Sequence, residues 1–265
     1  ASALVEDGRV AGVRIGDMGL DKDGRPGPNH APGGDIRAGT TVLAEGARGS
    51  VAKQLFSELG LADGRMPQTY GLGIKELWQL PPGRVEPGLI QHSVGWPLDS
   101  RTYGGSFLYH LDRDRVYVGF VSGLDYEDPR YRPFEAFQQF KHHPRVQALL
   151  EGGELQGYGA RAIAAGGWQS LPRKGSPGLL LVGDVAGTLN MPKIKGVHQA
   201  IRSGALAAEH LVERGDTAGF EARSRASPGG RELRRVRNIK PGFHRGLWWG
   251  IANAAFETVT AGLAP

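Results

Sequence analysis

The chain has 265 residues, a formal net charge of +5 and no cysteine. That length suits one large domain or two ordinary ones with a sizeable core. The missing thiols exclude a disulfide scaffold, a thiolate zinc site and a bound iron–sulfur cluster within these residues. Glycine is abundant, at 42 residues, against a usual ~7%. It follows no period of three, so collagen is excluded and turns and close backbone approach are indicated.

The N-terminal stretch ASALVEDGRVAGVRIGD has neither the basic nor the apolar part of a secretory signal. It reads as a strand, a turn at Glu6-Asp7-Gly8 and a second strand from Val10 to Ile15. A chain that starts inside a hairpin is expected to lack its beginning. Thr41 to Ala44 read as a strand, followed by Glu45-Gly46 and a helix capped by Ser50. Val51, Ala52, Leu55, Phe56 and Leu59 recur at helical spacing, and Gly60 stops the helix. From about Tyr70 to Trp168 the style changes. LIQHSVGWPL, GGSFLYHL and RVYVGFVSGL are short apolar runs between turns, as in an antiparallel sheet. One helix pattern, PFEAFQQFKHHP, interrupts them and is expected to end at Pro144.

From Leu179 to Leu211 the chain reads LLLVGDVAGTLNMPKIKGVHQAIRSGALAAEHL. The unbroken apolar start is expected for a strand covered on both faces. The following helix is predicted from near Gly196 to Val212. Val197, Ala200, Ile201, Gly204, Ala208 and Leu211 are expected on its packed face. Two strand–turn–helix pieces thus flank a sheet, as in a nucleotide-binding domain with an insertion. Asp184 stands at the carboxyl end of the apolar strand, where ligands bind in open α/β sheets. A carboxylate there needs hydrogen bonds, from a ribityl hydroxyl or from its own turn. The helix start near Gly196 carries partial positive charge, and Lys193 and Lys195 add to it. Gly187 and Gly196 would let backbone approach a planar ring.

These residues carry a resemblance. GDVAGTLNMPKIKGVHQAIRSGALAAEHL is similar to the second flavin-binding motif of the electron-transfer flavoprotein:ubiquinone oxidoreductase family. YGLGIKELW, HSVGWPLDSRTYGGSFLYHL, GLDYEDPRYRPFEAFQQFKHHP, LEGG, YGARAIAAGGWQSLP and VRNIKPGFH resemble that family in the same order, from about Val10 to the C-terminus. The resemblance implies an α/β fold with an α+β insertion. It would be part of a glutathione-reductase-type FAD domain carrying an inserted antiparallel-sheet quinone-binding domain. The boundaries expected are 1–66 for part of the FAD domain, 67–172 for the quinone domain and 173–220 for the second flavin motif. Residues 221–265 would form a basic, membrane-surface segment leading to a missing iron–sulfur domain.

The resemblance also implies roles. FAD would be bound by Gly183, Asp184, Gly187, Asn190, Pro192, Lys193, Gly196 and Val197. Gly104 and Gly105 match the pair whose backbone meets the ubiquinone head group; the ordinary structural reading of two such glycines is a β-bulge, which is compatible with that role. Electrons would pass from reduced electron-transfer flavoprotein through FAD, and in the full-length family a 4Fe-4S cluster, to ubiquinone. The enzyme would sit peripherally on an inner membrane, at the bacterial cytoplasmic or mitochondrial matrix face. Three departures stand out. The family's GxGxxG is absent here, since Glu76 occupies the last glycine position after Gly71-Leu72-Gly73. The cluster cysteines are absent too, so the chain is expected to be a central piece that is inactive in isolation. Val197 replaces a polar family residue and offers a flavin only its N–H.

Between Glu221 and Arg245 eight Lys/Arg face two acids, a local +6 that leaves −1 for the rest. Leu247, Trp248, Trp249, Ile251 and Phe256 follow, and tryptophans beside arginines suit a membrane head-group layer. Asn253 and Glu257 interrupt the apolar stretch, so it is expected to lie in the interface rather than span it. A prenyl-lipid reductase would share the GD motif but not TYGGSFLYH. A nucleic-acid reading of the arginines leaves the flavin motif unexplained, so no nucleic-acid partner is expected. His142-His143 lack a third ligand at a telling spacing, so no metal is expected. Glu45 resembles the acid after the third strand of such a domain, or is a turn residue.

Overall fold

A computed structural model describes residues 1–262. The chain divides into two compact units, one of Ala1–Gln68 with Gly166–Arg235, the other of Thr69–Ala165 with the chain from Val236 on. The basic segment expected as one piece from 221 to 265 is therefore divided after Arg235.

In the first unit, Ser2–Glu6 and Arg9–Ile15 form a hairpin that continues antiparallel to Gly34–Arg37. Asp7 and Gly8 both have positive φ, 48° and 74°, the pairing a two-residue hairpin turn favours. A second hairpin, Met18–Leu20 with Pro26–Ala31, is not evident in the sequence pattern. The central sheet pairs Leu179–Leu181 parallel to Thr41–Leu43 and antiparallel to Gly175–Ser176. Leu179 and Leu181 pack with Val10, Leu43 and the Val51, Ala52 and Leu55 side of helix Ser50–Glu58. Leu180 and Val182 face the other way, onto Ala207 and Phe220. That alternation is the two-sided burial expected of the strand, and each buried Leu contributes roughly 1.5–3 kcal/mol.

Two local expectations are corrected. Ser50 is the first helical residue and not the cap. The cap position is Gly49, without a side chain to donate or accept, and the Glu45 carboxylate reaches over to accept from the N–H groups of Val51 and Ala52 at 3.2 and 2.7 Å. An acidic acceptor suits a helix N-terminus better than a hydroxyl. The long helix runs Val197–Arg214 and ends at Gly215 in the left-handed conformation, but its packed face is Gln199, Ala207 and His210. Val197 is 76% and Ile201 67% exposed. The expected stripe holds in part: Leu211 packs on the Leu180 core and Ala200 and Gly204 are half-buried. The buried line is shifted toward Gln199, a polar residue held by a hydrogen bond that the periodicity of apolar residues cannot register.

The second unit is built on a five-stranded antiparallel sheet in the order Glu154–Ala164, Tyr70–Gln79, Arg115–Gly123, Gly104–His110, Ile90–Ser93. Helices Pro133–Lys141 and Pro144–Leu150 supply Phe137, Phe140, Val146 and Leu150 to one core with Val116, Val118 and Phe120. Pro144 opens the second of these helices, while His142 closes the first. Glu76, the residue that breaks the glycine fingerprint, is buried in the Tyr70–Gln79 strand. It accepts from Lys141 Nζ and Trp78 Nε1 at 2.9 and 2.8 Å. After Val236 come short turns at Ile239–Gly242 and Phe243–Arg245 and then helix Leu247–Val259.

Candidate functional site

In the first unit the Leu179–Leu181 strand runs into a single 3-10 turn, Gly183–Ala186, and then the loop Gly187–Lys195 that leads to the Val197 helix. Gly183 and Gly187 have φ of 67° and 68°, values that favour glycine. The Gly183 N–H donates to Ser203 Oγ at 2.8 Å, and its carbonyl accepts from Thr188 Oγ1 at 2.9 Å. The strand end is thereby tied to the long helix. Asp184 sits half-buried in this turn, so strand end, carboxylate and helix start are brought together.

The Asn190–Gly196 loop is held by Glu232, a residue that the sequence pattern does not single out. Asn190 and Lys195 exchange both backbone hydrogen bonds, at 3.1 and 3.2 Å, with Ile194 at φ 53° between them. Asn190 is fully buried. Its Nδ2 donates to Glu232 Oε1 at 2.7 Å and its Oδ1 accepts from the Lys193 N–H at 3.3 Å. Gln199 Nε2 donates to Glu232 Oε2 at 3.0 Å, and Lys193 Nζ and His198 Nε2 each stand 3.5 Å away. Partial burial works against ionisation of Glu232, but the hydrogen bonds from Asn190 and His198 and the nearby Lys193 ammonium outweigh it and hold its carboxyl below the usual range. The only hint in the sequence is an acid standing alone among arginines, in GGRELRR. Pro192 is half-buried, Lys193 and Val197 are exposed, and Gly196 lies against Leu189, whose Cδ1 would be 3.0 Å from an added Cβ.

These residues fit one end of a flavin dinucleotide. A carboxylate at a strand terminus, left-handed glycines and a helix start without a side-chain cap suit the ribityl and ring portion. Gly71-Leu72-Gly73 lies inside a regular strand of the other unit, so it forms no phosphate-cradling loop.

In the second unit Gly104 pairs with Ser122 and Gly105 with Val121 in an unbroken register, so the pair makes no β-bulge. An added Cβ at Gly104 would lie 2.2 Å from the Val121 carbonyl oxygen, and one at Gly105 2.5 Å from that of Ser93. Strand packing alone thus requires both glycines. Three residues before Gly104–Gly105, Arg101 and its neighbours turn under the C-terminal helix: the Leu247 N–H donates to the Ser100 carbonyl at 2.9 Å, and Tyr103 meets Phe243 edge-on at 5.1 Å. The glycine pair and the first turn of that helix therefore share one end of this unit.

The helix itself is turned inside out. Gly250 and Glu257 are buried and Asn253 half-buried. Asn253 Nδ2 donates to the Asn238 carbonyl at 2.9 Å, and Glu257 Oε1 accepts from Asn238 Nδ2 at 3.3 Å. Trp248 (79%), Trp249 (53%), Ile251 and Phe256 are exposed, while Leu247 is half-buried. No helix among the described residues is long and apolar enough to cross a membrane. Part of the basic run is already engaged: Arg223 pairs with Glu209 and Glu213, Arg225 with Glu221, and Arg237 donates to the Gly262 carbonyl. Among the described residues no group of three or more His, Asp or Glu is placed to hold a metal ion. His143 instead caps a helix, its Nδ1 accepting from the Arg145 N–H at 3.3 Å.

Residues 70–163, which hold the whole five-stranded sheet but its last residue, match the sequence profile of the family described as ETF-QO, ubiquinone-binding. The mouse mitochondrial electron transfer flavoprotein-ubiquinone oxidoreductase is 44% identical over 98% of this chain, and the Pseudomonas aeruginosa enzyme 43% over 96%. The chain belongs to this family. It spans about half the length of these curated relatives, 45% and 47% respectively. Among solved structures, a geranylgeranyl bacteriochlorophyll reductase-like protein of Thermoplasma acidophilum superposes with a TM-score of 0.59 at 17% identity, covering 99% of this chain and 57% of that one. A triple mutant of a flavin-dependent brominase gives 0.61 at 16% identity, covering 99% and 63%. At such identities the likeness is one of fold: the chain shares the α/β architecture, with an added antiparallel sheet, of flavin-dependent oxidoreductases and halogenases.

Proposed function

We propose that the chain carries the flavin-ring side and the quinone side of an electron transfer flavoprotein:ubiquinone oxidoreductase. In the whole enzyme, electrons would come from reduced electron-transfer flavoprotein, pass by way of FAD and a 4Fe-4S cluster, and reduce ubiquinone at a membrane surface. The observation that carries this reading is the identity of over 40% along nearly the entire chain, with the ubiquinone-binding profile lying on one folded sheet. FAD, when bound, supplies two-electron to one-electron conversion. On this reading Asp184 and the backbone of Gly183, Gly187 and Val197 hold its ribityl and ring portion, with Asn190, Pro192, Lys193 and Gly196 shaping the loop. Gly104 and Gly105 would meet the quinone through their backbone, a role compatible with their packing constraint. Trp248, Trp249, Ile251, Phe256 and Leu247 would rest in the interfacial layer of an inner membrane, on the cytoplasmic side in bacteria or the matrix side in mitochondria. The inverted polarity of their helix favours this, because burial of Asn253 and Glu257 leaves the apolar side outward.

The quinone assignment is tested by photolabelling the chain with a short-tail azido-ubiquinone and mapping the modified peptides. Label concentrated on the strand and turn around Gly104–Gly105, and competed by unlabelled ubiquinone, is expected. Competed label confined to the first unit would overturn the assignment.

A further inference from the structure

The second unit holds a cleft of about 380 Å³ that neither the flavin site nor the glycine pair accounts for. Its walls are the Ser100–Tyr103 turn, Asp125 and Glu127, and the turns from Lys240 to Gly246 that deliver the chain into the inverted helix. Charges of both signs converge there. Arg101 and Glu127 meet at the rim, 3.0 Å apart and largely exposed. Lys240 lies buried at the floor, its Nζ donating to Thr69 Oγ1 and standing 3.7 Å from Asp125 Oδ2. That is long beside the ~2.8 Å of a tight ammonium–carboxylate contact. Burial pushes the Lys240 ammonium down, and Asp125 draws it only partly back. Arg245 borders the cleft with its guanidinium 5.5 Å from the Trp249 ring centre.

A quinone ring suits an apolar slot with few polar groups. A cleft holding three cations and two carboxylates suits a ligand that itself carries both charges. The hydrogen bond from Leu247 to Ser100 joins this cleft to the first turn of the helix, where Trp248 and Trp249 stand exposed. Tryptophan occupies the head-group level of a bilayer, so the cleft would stand at the same depth. We propose that it seats a phospholipid head group bearing a phosphodiester and a primary ammonium, phosphoethanolamine in chemistry. The phosphodiester would meet Lys240 and Arg245. The ammonium would donate to Asp125 and Glu127, which a quaternary choline has no N–H to do. The inference rests on the membrane-facing reading of the helix.

The test titrates the full chain with vesicles of phosphatidylcholine alone and of phosphatidylcholine mixed with phosphatidylethanolamine, with binding read by flotation. Soluble glycerophosphoethanolamine, glycerophosphocholine and inorganic phosphate serve as competitors and separate head-group recognition from curvature stress. Binding to the ethanolamine vesicles should be tighter by about fivefold or more, and only glycerophosphoethanolamine should compete. The preference should vanish in Lys240→Met and in the exposed rim variant Arg101→Gln with Glu127→Gln, which leaves the core untouched. Equal binding to both vesicles overturns the head-group proposal and leaves the membrane reading standing. Binding to neither overturns both. Competition by inorganic phosphate alone marks a simple anion site, and a preference that survives the rim variant places recognition elsewhere; either result overturns the proposal.

Discussion

Glu232 ties Asn190, Gln199, Lys193 and His198 into one network beside the proposed flavin loop. Glu232→Leu would leave the fully buried Asn190 amide without its acceptor. A loss of about 1–3 kcal/mol is expected, read by urea unfolding; a loss under about 0.5 kcal/mol would mean that the network does not hold the loop. Lys174 presents the opposite case. It is buried, with its Nζ donating to Ser224 Oγ at 3.1 Å. Burial pushes its ammonium down from 10.5 to about 8, partly offset by Glu221. Below about pH 8 both folded and unfolded chains carry the charge, and its burial penalty is constant. Between about 8 and 10.5 only the unfolded chain still holds the proton, so stability rises with pH across that window, by up to roughly 3 kcal/mol. Lys174→Met should stabilise the protein by about 2 kcal/mol at pH 7 and lose the alkaline rise. Chemical denaturation of both proteins across that pH range checks the sign, and a variant less stable at neutral pH would contradict it.

At the scale of elements, the C-terminal helix reverses ordinary burial: polar side chains in, aromatic side chains out. Trp248→Ala with Trp249→Ala should weaken partition into anionic vesicles by tenfold or more, since each buried aromatic is worth on the order of 1.5–3 kcal/mol. Thermal stability should scarcely change, because both rings are exposed. Vesicle binding unchanged in a folded double variant would mean that the apolar side serves another purpose. The sheet offers a contrast. At Gly119 an added Cβ would fall 1.9 Å from Cζ of Phe107, whose ring covers the glycine. With Gly104 and Gly105 it shows three glycines retained for packing. A bulky residue at Gly105 would push against the Ser93 carbonyl of the neighbouring strand as well as against any ligand, so photolabelling is the cleaner probe there.

For the whole molecule, the proposed flavin site has its ring end on these residues and no glycine-rich phosphate loop among them. The 265 residues alone are expected to hold FAD weakly, with little bound at micromolar concentration, because the pyrophosphate has no helix N-terminus to receive it. Equilibrium dialysis checks this, and a stoichiometric yellow protein would contradict it. In a protein of the relatives' full length, Asp184→Ala should weaken FAD retention by about 1–3 kcal/mol through loss of a half-buried acceptor. Unchanged flavin content would remove Asp184 from the site.

Much of this was legible in the residues themselves. Three consecutive leucines announced a strand buried on both faces, Asp7-Gly8 announced a hairpin, and the order of TYGGSFLYH, FKHHP and MPKIKG identified the family. Local stereochemistry and hydrophobic patterning act over a few residues, so sequence carries them. What only tertiary structure decided was which polar groups could be buried. Gln199 turned the long helix because Glu232 lies opposite it, more than thirty positions along the chain. Glu45 replaced Ser50 as a cap by reaching across a turn. Asn253 and Glu257 went inward because Asn238 was there to meet them. A buried polar atom is costly without a partner, and partners distant in sequence become neighbours only when the chain has folded.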